Sequence, residues 1–223
     1  MSTATAAAPP TERRPASKKK HPGRWVAAAL AVTALLVVVL GTKVVPDGEE
    51  AVAGPAAFDR ATFGAEQFPA VQQQVTARAV EAPELAEAIT TDPEAAAADH
   101  GIEVAGNTVY STTFTGTVGE GEGGIYDVDV EGMPENVTVR LQTGPAINGT
   151  ELRDATGSFD FGQFTNQIEF QDAGAALNEE MKKQVLDPVD PASLPGKSVT
   201  VTGAFTLINP EAWLVTPVSL EVR

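Results

Sequence analysis

Cysteine is absent from this 223-residue chain, and histidine occurs only twice. The absence of cysteine excludes disulfide bonds, thiolate nucleophiles, cysteine-ligated metal centres and a lipid-modified cysteine. His21 lies in a basic N-terminal stretch, and His100 precedes Gly101, where a cationic ring suits the C-terminus of a helix. No nucleophile-elbow motif accompanies either histidine. We therefore predict a protein that is not an enzyme and that carries no metal and no cofactor.

Charged residues are missing between Arg24 and Lys43. This stretch of about 18 apolar or small residues is long enough, as a helix, to cross the roughly 30 Å hydrocarbon core of a bilayer. A cleaved signal peptide is the alternative, but its apolar core spans only about 7–15 residues and ends at a small-x-small site. Residues 41–46 contain no Ala-x-Ala. We predict an uncleaved transmembrane signal anchor at residues 25–45, with cleavage left open.

The charge of the chain divides at this apolar stretch. Residues 1–24 hold six basic residues and one acidic residue, whereas the whole chain has a net charge of −15. Basic residues that flank a span stay in the cytoplasm, so we predict a single-pass membrane protein with an extracytoplasmic, periplasmic C-terminal part. Residues 1–24 have too few apolar side chains to fold and are predicted to be a disordered cytoplasmic tail. The acidic remainder disfavours nucleic acid as a partner.

A short linker and a helical segment follow the predicted anchor. Residues 46–57 are rich in turn-forming and acidic residues and are predicted to be a linker. Residues 58–104 carry helical signals, and we predict a small helical subdomain there. Three helices are expected there. The first has Pro69 in its first turn, the second covers residues 83–89, and the third runs from a cap at Asp92 to Gly101.

At Thr108 the sequence pattern changes from a helical period of about 3.6 residues to the two-residue alternation that is typical of a strand. Residues 108–118, 125–130, 137–141, 198–207 and 213–222 are predicted strands, and the glycine-rich residues 120–124 are predicted to be a hairpin loop. A helix capped by Asp172 and ending before Pro188 is expected between the third and fourth strands. This order predicts, for residues 105–223, an OB-like five-stranded antiparallel barrel, or an open antiparallel sheet, with one packed helix. The fold class is therefore α+β.

The section between residues 142 and 170 has the densest mixture of polar and aromatic side chains. Side-chain amides beside aromatic rings suit a neutral polar ligand such as a sugar. The alternative is structural: the glycines make turns, Arg153 pairs with an acid, and the phenylalanines fill the end of the barrel. The predicted ligand-binding residues are Asn148, Thr150, Arg153, Asp154, Phe164, Asn166, Gln167 and Glu169.

The same section resembles a bacterial family of predicted periplasmic lipoproteins, the domain of unknown function twenty-two ninety-one. The resemblance rests on GPxIxGTxLRDA at residues 144–155, FxNQIEF at 164–170, ALN at 176–178, KVVP at 43–46 and GK at 196–197. It implies a helical subdomain joined to an OB-like domain. It also implies an accessory role in uptake, because such proteins are often encoded beside sugar ABC transporters. A lipoprotein would place cysteine near Thr42, so here the apolar helix is expected to replace the lipid.

Three functional hypotheses remain open at this stage. The first is a membrane-anchored extracytoplasmic binding or accessory module, with a sugar ligand or components of a sugar ABC transporter as partners. The second is a carbohydrate-active hydrolase that pairs Asp154 or Asp160 with Glu169, since glycoside cleavage uses two carboxyl groups about 5–10 Å apart. The third is a structural envelope protein that binds only other proteins.

Overall fold

The computed structural model describes residues 58–223. Its helices are α1 Arg60–Arg78, α2 Ala82–Thr91, α3 Pro93–His100, α4 Glu151–Asp154 and α5 Gln167–Met181. Its strands are β1 Val80–Glu81, β2 Gly101–Val104, β3 Asn107–Glu122, β4 Ile125–Val130, β5 Thr138–Gln142, β6 Ser198–Thr206 and β7 Ala212–Val222. Short 3₁₀ turns cover Phe161–Gln163 and Pro191–Ser193, and α5 continues as a π-helical turn over Lys182–Leu186.

Five of the strands form a closed ring. Strand β3 pairs with β4, β4 with β5, β5 with β7, β7 with β6, and β6 again with β3. The two short strands β1 and β2 add to the long strand β3 outside this ring. The five strands predicted from the sequence are the five of the ring, and a closed barrel leaves few unpaired edges.

The prediction of a five-stranded antiparallel sheet is nevertheless wrong, because the sheet has seven strands and is mixed. Strand β1 runs parallel to β3, and β5 runs parallel to β7. The two added strands are only two and four residues long, which is too short for an alternating pattern to be visible. The direction of β7 relative to β5 depends on the long connection between them, which contains α4, α5 and β6 and which no local pattern records.

Two predicted helix starts are also wrong. Helix α1 begins at Arg60 and contains Pro69, because Asp59 caps it by accepting a hydrogen bond from the Thr62 N–H (2.6 Å). Helix α5 begins five residues before Asp172, because the Asn166 carboxamide oxygen accepts from the N–H groups of Ile168 and Glu169. The predicted cap at Asp92 is confirmed, since its carboxylate accepts from the Ala95 N–H (3.0 Å).

The turn between β3 and β4 is tighter than predicted. Strand β3 extends into the glycine-rich sequence as far as Glu122, β4 begins at Ile125 as predicted, and only Gly123 and Gly124 remain between them, with φ of 63° and 83°. A positive φ is readily adopted by glycine and rarely by other residues.

The core has two parts. Inside the barrel, the Phe205 ring stacks between Tyr110 (5.7 Å between centroids) and Trp213 (4.5 Å). On the outside of the barrel, apolar residues of α1 pack with those of α5 and of β7, including Phe68, Leu177 and Val218. Helix α2 buries Leu85 and Ile89 in the first part of the core. The apolar positions of residues 58–104 therefore pack on the β-domain.

None of the helices within residues 58–223 has both the length and the apolar character that a membrane crossing requires. The predicted tail at 1–24, the predicted anchor at 25–45 and the predicted linker at 46–57 lie outside the described residues. The predicted boundary between subdomains at residue 104 stays a prediction.

Candidate functional site: a polar cleft beside Arg153

A loop at residues 143–150 and the start of helix α4 form one wall of the site. The loop is held against α5 by Asn178, whose Nδ2 donates to the Gly149 carbonyl (2.8 Å) and the Ile147 carbonyl (3.3 Å). The Thr150 hydroxyl then donates to Asp154 Oδ2 (2.7 Å) across the first turn of α4. These bonds fix the loop between two helices.

The centre of the site is a buried ion pair between neighbouring residues. Arg153 Nε donates to Asp154 Oδ1 (2.7 Å), and Arg153 Nη2 donates to Asp154 Oδ2 (3.1 Å). Only 6% of Arg153 and 8% of Asp154 is exposed. A third bond runs from Arg153 Nη1 to the Phe170 carbonyl (3.0 Å), and the guanidinium carbon lies 3.7 Å from the centroid of the Phe170 ring. This planar, two-pronged geometry is specific to arginine, which pairs and stacks at the same time.

A cleft of about 550 Å³ opens between the loop and helix α5. It is lined by Ile147, Asn148, Gly149, Thr150, Arg153, Gln167, Phe170, Gln171, Asp172, Ala175 and Asn178. Asn178 is 2% exposed, and its Oδ1 has no hydrogen-bond partner among the described residues. Asn178 lines the cleft, and an unpaired buried acceptor is a group that a hydrogen-bond donor could satisfy.

Most of the formal charge in the cleft wall is compensated. Arg153 is neutralised by Asp154, and Asp172 Oδ1 lies 3.7 Å from Arg60 Nη1, although Arg60 also pairs with Glu179. The other polar side chains of the lining are amides and a hydroxyl. Such a surface offers hydrogen bonds with little net charge, which suits a neutral polar molecule better than an ion.

An adjacent cleft of about 400 Å³ shares Asn148, Gly149, Thr150, Arg153 and Phe170 with the first. Its wall includes Glu151, whose Oε2 is buried and has no hydrogen-bond partner among residues 58–223. Burial raises the pKa of the Glu151 carboxyl, and the nearby Asp154 carboxylate raises it as well. The carboxylate lies directly over Gly149, where a Cβ would be 1.9 Å from Glu151 Oε2.

The structure brings five of the eight predicted ligand-binding residues together. Asn148, Thr150, Arg153 and Gln167 line the first cleft, and Asp154 lines the adjacent one. The remaining three have local structural contacts.

Phe164 packs against other phenylalanine rings, Asn166 caps helix α5, and Glu169 accepts from the Thr165 N–H (2.9 Å). Of the structural alternative raised for this section, the pairing of Arg153 with an acid is observed, whereas Phe164 joins phenylalanine rings outside the barrel rather than filling its end. Glu169 and Phe164 also line a shallow depression among the phenylalanines.

Sequence reasoning missed the helical wall of the cleft. Gln171, Ala175 and Asn178 follow Gln167 at spacings of four, eight and eleven residues, so they share one face of α5. Gln167 and Gln171 were left off this face because the helix was predicted to start at Asp172. The signal that could have revealed it is the Asn166 cap with an acid at Glu169, which is typical of a helix start.

The three carboxyl groups considered for hydrolysis already have local contacts. Both Asp154 oxygens accept hydrogen bonds, and Glu169 accepts from the backbone of Thr165. Asp160 is exposed at the start of a 3₁₀ turn. Within residues 58–223 there is also no group of three or more side chains placed to hold a metal ion. The hydrolase hypothesis stays a prediction without a specific observation in its favour.

Comparisons with known proteins place the chain in a family and a fold. The crystal structure of an OB-fold protein from Thermotoga maritima resembles this chain with a TM-score of 0.60 and 20% sequence identity, covering 75% of this chain and 99% of that one. At this identity the likeness shows the fold alone. A comparison with curated proteins found no match. A family model described as "Predicted periplasmic lipoprotein (DUF2291)" matches residues 32–221, and the chain therefore belongs to this family of predicted periplasmic lipoproteins.

Proposed function

We propose that this protein is an extracytoplasmic, membrane-held binding module that takes a small neutral polar molecule, such as a sugar, in the cleft beside Arg153. The observation that carries the proposal is the amide-rich lining of that cleft, which includes Asn178 with its buried, unpartnered Oδ1. Hydroxyl groups of a ligand can donate to and accept from such amides. The amides of Asn148, Gln167 and Gln171 belong to the same lining and can donate or accept as the ligand requires.

The compensated charges in the cleft support a neutral ligand. An anion would gain little from Arg153, because Asp154 already neutralises the guanidinium at 2.7 Å. A cation would face the same pair, and Asp172 is held by Arg60. Hydrogen bonds and apolar contact with the Phe170 side chain remain as the sources of affinity.

The family supports a location outside the cytoplasm and at a membrane. This chain has no cysteine to carry a lipid, so we assign the attachment to the apolar residues 25–45 as a single-pass anchor. As a partner we propose a sugar ABC transporter of the ribose or xylose type, which the family resemblance implies. A binding module held at the membrane would raise the local concentration of the sugar beside such a transporter.

A sterically blocked cleft tests the ligand site. Ala175 lies half-buried on α5 in the cleft wall, and Ala175→Leu adds an isobutyl group there without lowering helix propensity. We expect one member of a panel of neutral pentoses and hexoses to raise the melting temperature of the full chain in mild detergent. We expect this shift to disappear in Ala175→Leu.

The matched control is Ala70→Leu, which makes the same change at an exposed position of helix α1. This variant should keep the full ligand-induced shift. The proposal fails if no neutral sugar in the panel changes the melting temperature, or if Ala175→Leu responds to the sugar as the wild type does.

A further inference from the structure

Four phenylalanine side chains line one depression of about 380 Å³ beside helix α1. We call it the phenylalanine depression, and its lining consists of Phe58, Phe63, Gln67, Phe159, Gln163, Phe164 and Glu169. Its volume lies in the range of about 300–1,000 Å³ that is usual for small-molecule sites. It shares no lining residue with either of the two clefts beside Arg153. A molecule in this depression would therefore occupy a second site.

Three stretches of the chain meet at the phenylalanine depression. Phe63 and Gln67 lie one turn apart on α1, so their side chains share a face of that helix. The segment between α4 and α5 contributes two of the rings and Gln163. Glu169 belongs to the first turn of α5. The lining is thus assembled from residues more than 100 positions apart in the chain.

Three of the rings are mutual neighbours. The ring centroid of Phe63 lies 5.1 Å from that of Phe58 and 6.1 Å from that of Phe164, and the last two centroids are 6.1 Å apart. All three side chains are partly exposed. A cation about 4 Å above this triangle would lie about 5 Å from each centroid, within the roughly 6 Å over which ring quadrupoles attract a cation. The triangle is thus a suitable surface for a positively charged group.

The depression also carries a negative charge that no basic side chain of the described part neutralises. Glu169 takes part in none of the ion pairs within residues 58–223. Its Oε2 accepts from the Thr165 N–H (2.9 Å), which holds the carboxylate in place. Residues 154–181 contain no lysine, arginine or histidine, and Arg60 of α1 pairs with Asp172 and Glu179. The charge of the depression therefore complements a cationic ligand.

The kind of cation follows from the rest of the lining. A primary ammonium group is strongly hydrated and needs an acceptor for each of its three N–H groups. The phenylalanine rings offer none, and the only other polar groups of the lining are the two glutamine amides. A quaternary ammonium group has no N–H to satisfy, and its methyl groups can rest directly on aromatic rings.

We propose that the phenylalanine depression binds a small quaternary ammonium compound. Its methyl groups contact the rings of Phe58, Phe63 and Phe164, and its charge faces Glu169. This site goes beyond the proposed sugar site and does not rest on it, because the two have separate linings. Phe164 and Glu169 were predicted from the sequence to bind a neutral ligand, and here we assign them to a cation.

Choline is a suitable probe for this site. Saturation transfer from the full chain, in a non-ionic detergent, to the N-methyl protons of choline detects binding by nuclear magnetic resonance, and a titration gives the affinity. We expect transfer to choline and to tetramethylammonium, but not to 3,3-dimethyl-1-butanol, which is the uncharged carbon analogue of choline. Phe164→Leu keeps an apolar side chain but removes a ring, and it should weaken choline binding about two- to fivefold.

Glu169→Gln should weaken choline binding by a similar factor, because an exposed ion pair contributes modestly. This variant keeps an acceptor for the Thr165 N–H, so it decides the question if Phe164→Leu does not fold. The matched controls are Glu135→Gln, at an exposed carboxylate between β4 and β5, and Phe161→Leu, at an exposed ring outside the lining. Both should bind choline as the wild type does.

A further variant separates this site from the cleft beside Arg153. Ala175→Leu narrows that cleft and should leave choline binding unchanged, whether or not a sugar binds there. The proposal is overturned if the uncharged analogue binds as well as choline, or if Glu169→Gln binds choline with the affinity of the wild type. Loss of choline binding in Ala175→Leu also overturns it, since choline would then occupy the other cleft.

Discussion

At the scale of single residues, Glu151 is a carboxyl group that folding removes largely from water. Its Oε2 has no hydrogen-bond partner among the described residues, and burial is the main cause of its raised pKa. The ionised form is therefore less favourable in the folded protein than in the unfolded chain. The folded state loses stability as the pH rises from the ordinary value of 4.5 through the raised pKa.

Substitution Glu151→Gln should remove this pH-dependent loss. We expect the melting temperature of the variant, relative to that of the wild type, to increase as the pH rises above 4.5 and to stay constant below it. Thermal unfolding of both proteins from pH 4 to pH 8 measures the difference, so contributions from other carboxylates cancel. A difference that does not change with pH would show that Glu151 is ionised at no cost to the fold.

At the scale of elements, the start of helix α5 determines the shape of the site. Asn166 accepts from two N–H groups of the first turn, at 2.9 and 3.0 Å. This cap places Gln167 and Gln171 on the face that lines the cleft. Asn166 was predicted to bind a ligand, which stays a prediction, and the structure gives it a capping role in the helix.

We expect Asn166→Ala to lower the free energy of unfolding by about 1 kcal/mol, the usual cost of losing an N-cap. Asn166→Asp should lose much less, because a carboxylate also accepts from these donors and suits the helix dipole. Chemical denaturation of the full chain measures both changes. Equal stability of Asn166→Ala and the wild type would contradict the capping role.

At the scale of the whole molecule, the helices and the barrel share their core. Phe68 of α1 is fully buried and belongs to the same apolar cluster as Leu177 of α5 and Val218 of β7. Removal of the Phe68 ring leaves a cavity between helix and barrel rather than inside one element. We therefore expect residues 58–223 to unfold as one cooperative unit.

Substitution Phe68→Ala should lower the free energy of unfolding by about 3–5 kcal/mol. Its midpoint in urea should be the same by far-ultraviolet circular dichroism, which follows the helices, and by fluorescence of Trp213, which is buried in the barrel. A Trp25→Phe background leaves Trp213 as the single tryptophan. Separate midpoints for the two signals would show that the helices unfold independently. Phe161→Ala, at an exposed ring, is the matched control and should cost much less.

Local sequence patterns were sufficient for most elements. The alternation from Thr108 onward predicted the five strands of the closed ring, and the likeness to an OB-fold crystal structure confirms an OB-like fold. The motifs at residues 144–178 were sufficient to recognise the family. The helix cap at Asp92 was also predicted correctly, because the group that it binds, the Ala95 N–H, lies only three residues further along the chain.

The composition and local periodicity of the sequence determined that the chain is acidic, lacks cysteine and alternates in a way that makes strands, since these properties depend only on neighbouring residues. The tertiary structure alone decided that β5 and β7 run parallel, that β1 and β2 join the sheet, and that Asn178 reaches the loop at Gly149. Each of these depends on contacts between residues far apart in the chain, which packing brings together and no local pattern encodes.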